Sequence, residues 1–226
     1  MTWISTLQNS KILGWLAPRA WMKMCLCGGC LIIGAIVVNP YRAPTSLLES
    51  CLRLTDSVHQ NICQSNLRLI ALGLEGYASD YGGLYPPASA SASTPSGEGW
   101  AYQVQAEAQN FEVLHCESDP HDTGVPLGLD PKKREYTDYW FNKDLLGKQS
   151  GISAADSLFL IGEGDDGRDQ TDSTYSLSGF PAKWLTDANM PPARHFLGAN
   201  YLFADGHVGW LKPAQLSGPG APRFEP

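Results

Sequence analysis

Between Ser46 and Asp80, apolar residues recur at three- and four-residue steps: Leu47, Leu48, Cys51, Leu54, Val58, Ile62, Leu67, Ile70, Leu74 and Tyr77. That spacing lines them along one side of an α-helix. Arg53, Asp56, Gln60, Asn61, Gln64 and Arg68 fill the other side. Pro40 and Pro44 interrupt whatever precedes the pattern. Thr45 or Ser46 offers a cap, with Glu49 close to the first turn, and Gly82-Gly83 supply a stop. A helix over residues 46–81 would exceed about 50 Å at roughly 1.5 Å per residue. A rod of that length is expected to act as an amphipathic spine, with the rest of the domain packed on one of its faces.

Charge divides the chain ahead of the spine. Residues 1–23 hold Lys11, Arg19 and Lys23 and no acid, and the run 24–41, MCLCGGCLIIGAIVVNPY, carries no charge. Eighteen residues reach about 27 Å as a helix, enough for a bilayer core. With basic residues before it, this run predicts a single-pass anchor with residues 1–23 in the cytoplasm and the rest outside it. A cleaved signal peptide is the alternative, against which Asn39-Pro40-Tyr41-Arg42-Ala43 makes a poor small-x-small site. Cys25, Cys27 and Cys30 read as small residues of the membrane helix, since thiolate ligands there would sit in lipid with no His nearby. Cys51, Cys63 and Cys116 come after the anchor, where a disulfide is permitted. Cys63 with Cys116 is the preferred pair, leaving Cys51 outside it. The net charge of −7 and the lack of a basic patch argue against a nucleic-acid partner.

The remainder, 82–212, reads as a β-rich globular part. Residues 100–116 suggest a short helix running into an extended segment, and 136–147 an aromatic strand. In 156–164 the run Leu158, Phe159, Leu160 and Ile161 suggests a buried strand. Residues 165–179 form a polar, acidic loop. Near the end, Asn200-Tyr201-Leu202-Phe203 and Val208-Gly209-Trp210-Leu211 flank Asp205-Gly206, which predicts a hairpin with a type I′ turn. The Pro- and Gly-rich segment 213–226 predicts a disordered tail. The expected fold class is therefore α+β, a long N-terminal helix (anchor plus spine) packed on a small antiparallel sheet.

Four ordered motifs resemble the pilin-like proteins of bacterial type II secretion and type IV pilus systems, the major pseudopilins in particular. Cys63, Asn66, Leu67, Ile70, Tyr77, Asp80, Gly83, Tyr85, Pro86 and Pro87 stand where that family has Cys-x-x-Asn-Leu-x-x-Ile and Tyr-x-x-Asp-x-Gly-x-Tyr-Pro-Pro. Leu114-His115-Cys116-Glu117-Ser118-Asp119-Pro120 is similar to its Cys-Pro-Ser-Asp step, and Tyr139 with Asn142 to its Ser-Tyr-x-x-Asn step. His195, nine intervening residues, then Asp205-Gly206 resemble the C-terminal His-x9-Asp-Gly signature of a bacterial subgroup. The resemblance implies a pilin-like fold and a non-enzymatic structural role. The location implied is the bacterial inner membrane, with the C-terminal domain in the periplasm. The partners implied are the membrane and like or unlike pilin-like subunits. The family's processing site departs here: Gly29 is followed by Cys30, Leu31, Ile32, Ile33 and Gly34, with no Glu at the fifth position.

Two clusters could carry chemistry. Glu163, Asp165, Asp166, Asp169 and Asp172 offer oxygen ligands of the kind Ca²⁺ takes. The resemblance supports calcium, since related major pseudopilins hold it in a carboxylate-bearing loop. The spacing is not that of an EF-hand, and solvated acidic loops are commoner. His195, Asp205 and His207 could hold a metal, but a hairpin turn accounts for Asp205 and Gly206 without chemistry, leaving His195 to brace the hairpin. No Gly-x-Ser-x-Gly elbow and no phosphate loop is present. The expected function is a membrane-anchored structural subunit or accessory of a type II secretion or pilus-like assembly. The alternative is a free-standing periplasmic binding or scaffold domain that keeps the fold without the assembly signal. A metal-dependent hydrolase stands third.

Overall fold

The computed structural model describes residues 44–87, 99–108, 110–119, 130–132, 136–164, 171–187 and 189–226. The apolar run 24–41 and Cys25, Cys27 and Cys30 lie outside the described residues. No described helix is long and apolar enough to cross a membrane. The chain divides into two units, Met1–Thr55 and Asp56–Pro226, and the account below concerns the second.

The fold is α+β: a long helix beside a five-stranded, mostly antiparallel sheet. Helix α1 runs Pro44–Asp80. It begins at Pro44 rather than after a Thr45 or Ser46 cap, because the fixed φ of proline suits the first helical position, where no amide donor is needed. It ends as the glycines dictate. Gly82 takes φ 68, and the Gly83 amide donates back to the Ala78 carbonyl at 2.6 Å, the six-to-one bond of a Schellman ending. Helix α2, Trp100–Ala108, packs beside α1 through Trp100, Ala101 and Val104.

The strands are β1 (Tyr139–Asn142), β2 (Phe159–Glu163), β3 (Ser176–Leu177), β4 (Ala199–Phe203) and β5 (Val208–Leu211). Their order is β3-β1-β2-β4-β5. The β1/β2, β2/β4 and β4/β5 pairs are antiparallel and β1/β3 is parallel. Every residue of β1, β2 and β4 is buried, so the sheet is covered on both faces. Side chains alternate between those faces, a pattern interrupted in β2 by a register shift between Phe159 and Ile161 that leaves both Leu160 and Ile161 in the core against α1. Tyr139, Phe141, Ile161 and Leu202 meet Cys63, Leu67, Ile70 and Leu74 of α1. Trp140, Phe159, Tyr201 and Phe203 meet a second layer built from Trp184, Leu216, Phe180 and Phe224. This two-sided cover explains why β2 reads as a continuous apolar run rather than an alternating one.

The second layer corrects the reading of residues 213–226 as a disordered tail. Leu216 is buried, and the Phe224 ring stacks on Trp140 with centroids 5.2 Å apart. The Phe159 amide donates to the Arg223 carbonyl at 2.9 Å, and the Arg223 amide to the Ser157 carbonyl at 2.8 Å. The Asn142 side-chain amide donates to the carbonyls of Phe159 at 2.7 Å and Phe224 at 2.8 Å. Two apolar anchors and a few backbone bonds hold a segment whose composition alone suggests disorder. Replacing Phe224 with Ala is expected to lower unfolding stability by about 1–3 kcal/mol, read from urea unfolding. An unchanged midpoint would mean that the tail contributes nothing to the fold.

Candidate functional site

The turn at Asp205-Gly206 differs in kind from the expected type I′. Among described non-glycine residues, positive φ occurs only at Ala154, Phe196 and Leu197, so Asp205 does not adopt it; Gly206 does, at φ 88. The Gly206 amide donates to the Phe203 carbonyl at 2.9 Å, and the Phe203 amide to the His207 carbonyl at 2.9 Å. That is a three-residue loop with one left-handed glycine at its end. The Asp205 carboxylate accepts from the His207 amide at 3.1 Å and lies 2.6 Å from its Nδ1. Both side chains are exposed. The Asp205 and His207 side chains thus bond to one another locally, while the Ala204 amide reaches out of the loop to the Leu158 carbonyl at 2.9 Å.

His195 lies at the other end of β4, separated from Asp205 by a five-residue strand on the order of 15 Å long. Here the tight turn with two positive φ values appears. Phe196 has φ 51 and Leu197 φ 63, and His195 and Gly198 exchange both backbone hydrogen bonds, at 2.7 and 2.9 Å. Bulky residues in this conformation are strained. Tertiary contacts hold them there: the Trp210 indole N–H donates to the His195 carbonyl at 2.8 Å, and the Phe196 amide to Asp56 Oδ2 at 3.2 Å. The nine-residue spacing therefore counts a two-residue turn, one buried strand and the start of a loop. His195 and Asp205 are not brought together.

What the turn does is aim the His195 ring into the interior, where it meets three residues from distant parts of the chain. Ligand atoms of Cys63, Cys116, Glu163 and His195 all lie within 4.8 Å of one another, and all four residues are buried. The two sulfurs are 2.7 Å apart. His195 Nε2 is 3.5 Å from Cys116 Sγ and 3.3 Å from Glu163 Oε1. Three of the four members are fixed from behind, and Cys63 is carried by α1. Asn200 donates to Glu163 twice, from its backbone amide at 2.8 Å and its side chain at 2.7 Å, and Gln64 donates to Asn200 at 3.0 Å. The Cys116 amide donates to Asp138 Oδ2 at 2.6 Å. The Asn66 side chain donates to the His115 carbonyl at 2.9 Å, tying the Cys116 segment to α1. His195 Nδ1 faces Ser118 Oγ at 3.4 Å and Asp56 Oδ1 at 3.8 Å. Close by, Arg194 and Asp119 form a buried ion pair.

The arrangement supports three kinds of chemistry: an ion pair between Glu163 and His195, a sulfur–sulfur link between Cys63 and Cys116, and metal ligation by all four groups. Burial by itself would push the His195 pKa down. The hydrogen bonds to Cys116 and Glu163 and the Glu163 charge outweigh it and raise the value from 6.5 to about 10. Burial, together with the contact to Cys63, raises the Cys116 thiol well above its ordinary value.

Of the acidic cluster expected to suit calcium, Asp165, Asp166 and Asp169 lie outside the described residues. Glu163 is turned into the core, and Asp172 accepts from the Thr174 amide at 2.9 Å and hydroxyl at 2.6 Å. Sequence reading singled out Cys63, Cys116 and His195 for other roles. It grouped Glu163, at the end of the segment read as a buried strand, with the acids of the loop that follows, and it left Asn200, the Asp119–Arg194 pair and the Phe196-Leu197 turn unread. Gly198 next to two bulky residues was the one local sign of a tight turn. Comparisons with protein-family models, with curated proteins and with solved structures return no match.

Because the folded pKa of His195 is raised, its stabilising contribution is complete below the unfolded value near 6.5 and is lost as pH rises towards about 10. In the reduced, chelator-treated chain, melting temperature is expected to fall across that window. Glu163→Gln, which removes the partner charge, should flatten the fall; an equal slope in both proteins would exclude the ion pair as its source. Leu197→Gly relieves one left-handed residue at an exposed site and is expected to raise stability by about 1 kcal/mol, measured by urea unfolding; a loss would show that the leucine side chain outweighs the backbone strain.

Proposed function

We propose that this chain is a non-enzymatic, membrane-anchored pilin-like protein that serves as a structural subunit or accessory of a type II secretion or pilus-like assembly. The observation that carries this reading is the two-sided character of α1. At about 100° per residue, Cys63, Leu67, Ile70 and Leu74 form the buried side. Val58, Leu69 and Leu72 cluster on the roughly opposite side, 54%, 41% and 62% exposed. A stripe of large apolar groups on the outer face of a spine helix suits packing against the spine of another subunit.

The motif residues also favour a structural role. Asn66, Tyr139, Asn142 and His195 hold backbone or buried side chains in place, and the only cluster of metal-binding side chains found among the described residues is fully buried, with no surface for a substrate. One observation favours the second reading, a free-standing periplasmic binding or scaffold domain. A cleft of about 540 Å³ opens between Leu74, Glu75 and Ala78 of α1, Tyr85, Ser150 and the Asp205-Gly206 loop, a size that holds a small molecule.

Chemical cross-linking of the full chain in native membranes is expected to give a ladder of higher-order species. Leu69→Glu with Leu72→Glu should collapse the ladder to monomer without lowering the melting temperature. Monomer alone from the unaltered chain would favour the free-standing domain.

A further inference from the structure

Cys63, Cys116, Glu163 and His195 present two sulfurs, a carboxylate oxygen and an imidazole nitrogen to one buried point. We propose that these four side chains bind a single divalent cation of the zinc class as a closed, structural site. This goes beyond the assembly role and does not depend on it.

The donor set selects the ion. Calcium and magnesium take oxygen ligands almost exclusively, whereas two thiolates with one imidazole and one carboxylate suit a borderline-soft ion that accepts tetrahedral coordination. All four residues have no exposed surface, so no position is left open to water, which separates a structural site from a catalytic one. The groups behind the ligands are those such a site needs. Asp56 and Ser118 face His195 Nδ1, which turns Nε2 towards Cys116 and Glu163. Asn200 holds Glu163 through both its oxygens, and Asp138 holds the Cys116 backbone.

Loading follows from simple chemistry. The ion takes the lone pairs of two thiolates, and the two thiol protons, with that of a charged His195, leave to solvent. With metal–sulfur bonds of about 2.3 Å in a tetrahedron, the sulfurs would stand roughly 3.8 Å apart. The pair, at 2.7 Å, opens by about 1 Å. The same two sulfurs joined as a disulfide are the competing state, and a chain in that state cannot take the ion.

The test uses the full chain carrying Cys25→Ser, Cys27→Ser, Cys30→Ser and Cys51→Ser, so that Cys63 and Cys116 are the only thiols. The protein is reduced with a phosphine, exposed to Zn²⁺ or Co²⁺ and freed of unbound metal. Elemental analysis is expected to find one ion per chain. The cobalt form should show a thiolate-to-metal charge-transfer band, and both thiols should resist alkylation until a chelator is added. His195→Ala and Glu163→Gln should each weaken binding by at least about tenfold, the lower end of what even supporting residues cost. The cobalt spectrum should change in both while circular dichroism reports a retained fold. Cys116→Ser should diminish the charge-transfer band, and if it fails to fold the other two variants decide. A folded, reduced chain that retains no ion overturns the proposal. So does metal held equally well by His195→Ala and Glu163→Gln, or a Cys63–Cys116 disulfide in protein alkylated directly from cells.

Discussion

Glu163 ends β2 with a carboxylate that has no exposed surface, and a charge in that position is tolerable only if partners surround it. Much of the second unit is organised to provide them. Asn200 approaches from β4 with both its backbone and side-chain donors, and Gln64 on α1 completes the Asn200 amide. His195 supplies the opposing charge. Removing any one partner leaves a polar group stranded in the core, so the helix, the sheet and the turn before β4 are held in mutual register by one buried anion. Apolar packing between α1 and the sheet supplies the bulk of the stability, but it is non-directional. The carboxylate and its donors are directional.

The geometry of His195 shows how that register is enforced. Its ring reaches Glu163 only because Phe196 and Leu197 accept left-handed backbone angles, a conformation bulky side chains avoid. Trp210 on the neighbouring strand and Asp56 on α1 each clamp a backbone group of this turn. Strain of this kind persists where surrounding contacts over-determine it. The loop at the far end of β4, by contrast, pairs the Asp205 and His207 side chains with one another and places its one left-handed residue at glycine. Two turns at opposite ends of one strand thus do different work: one reverses the chain, and the other delivers a side chain.

The sheet gains its second cover from segments with little regular structure. Short 3₁₀ turns at Ala182–Leu185 and Pro213–Gln215, with the end of the chain, bring Trp184, Leu216 and Phe224 onto Trp140 and Phe159. Aromatic rings bury large area per residue, so a few of them anchor long irregular stretches. The outer side of α1 has no such cover within the described residues. Its exposed Val58, Leu69 and Leu72 are the counterpart of the buried stripe, and the proposed assembly role rests on that contrast.

Local physics made part of this protein legible from the amino-acid order. The periodicity of Leu67, Ile70 and Leu74, the Gly82-Gly83 stop, the apolar run of β2 and the β4–β5 hairpin all follow from spacing and backbone preference over a few residues. The ordered tail and the two-faced sheet were not legible, because Phe224 acquires meaning only against rings such as Trp140 and Phe159, far from it in the chain. The same holds for the site. Cys63 and His195 could each be singled out as residue types, but Glu163 groups locally with the acids of the loop that follows. Only the tertiary structure decided that its carboxylate faces the core, because the alternation of a buried strand and the donors of Asn200 choose the direction. The sequence by itself determined the spine helix and its glycine stop, the strand-prone runs of β1 and β2 and the β4–β5 hairpin; the meeting of four distant side chains at one buried point was decided by packing, which no local pattern encodes.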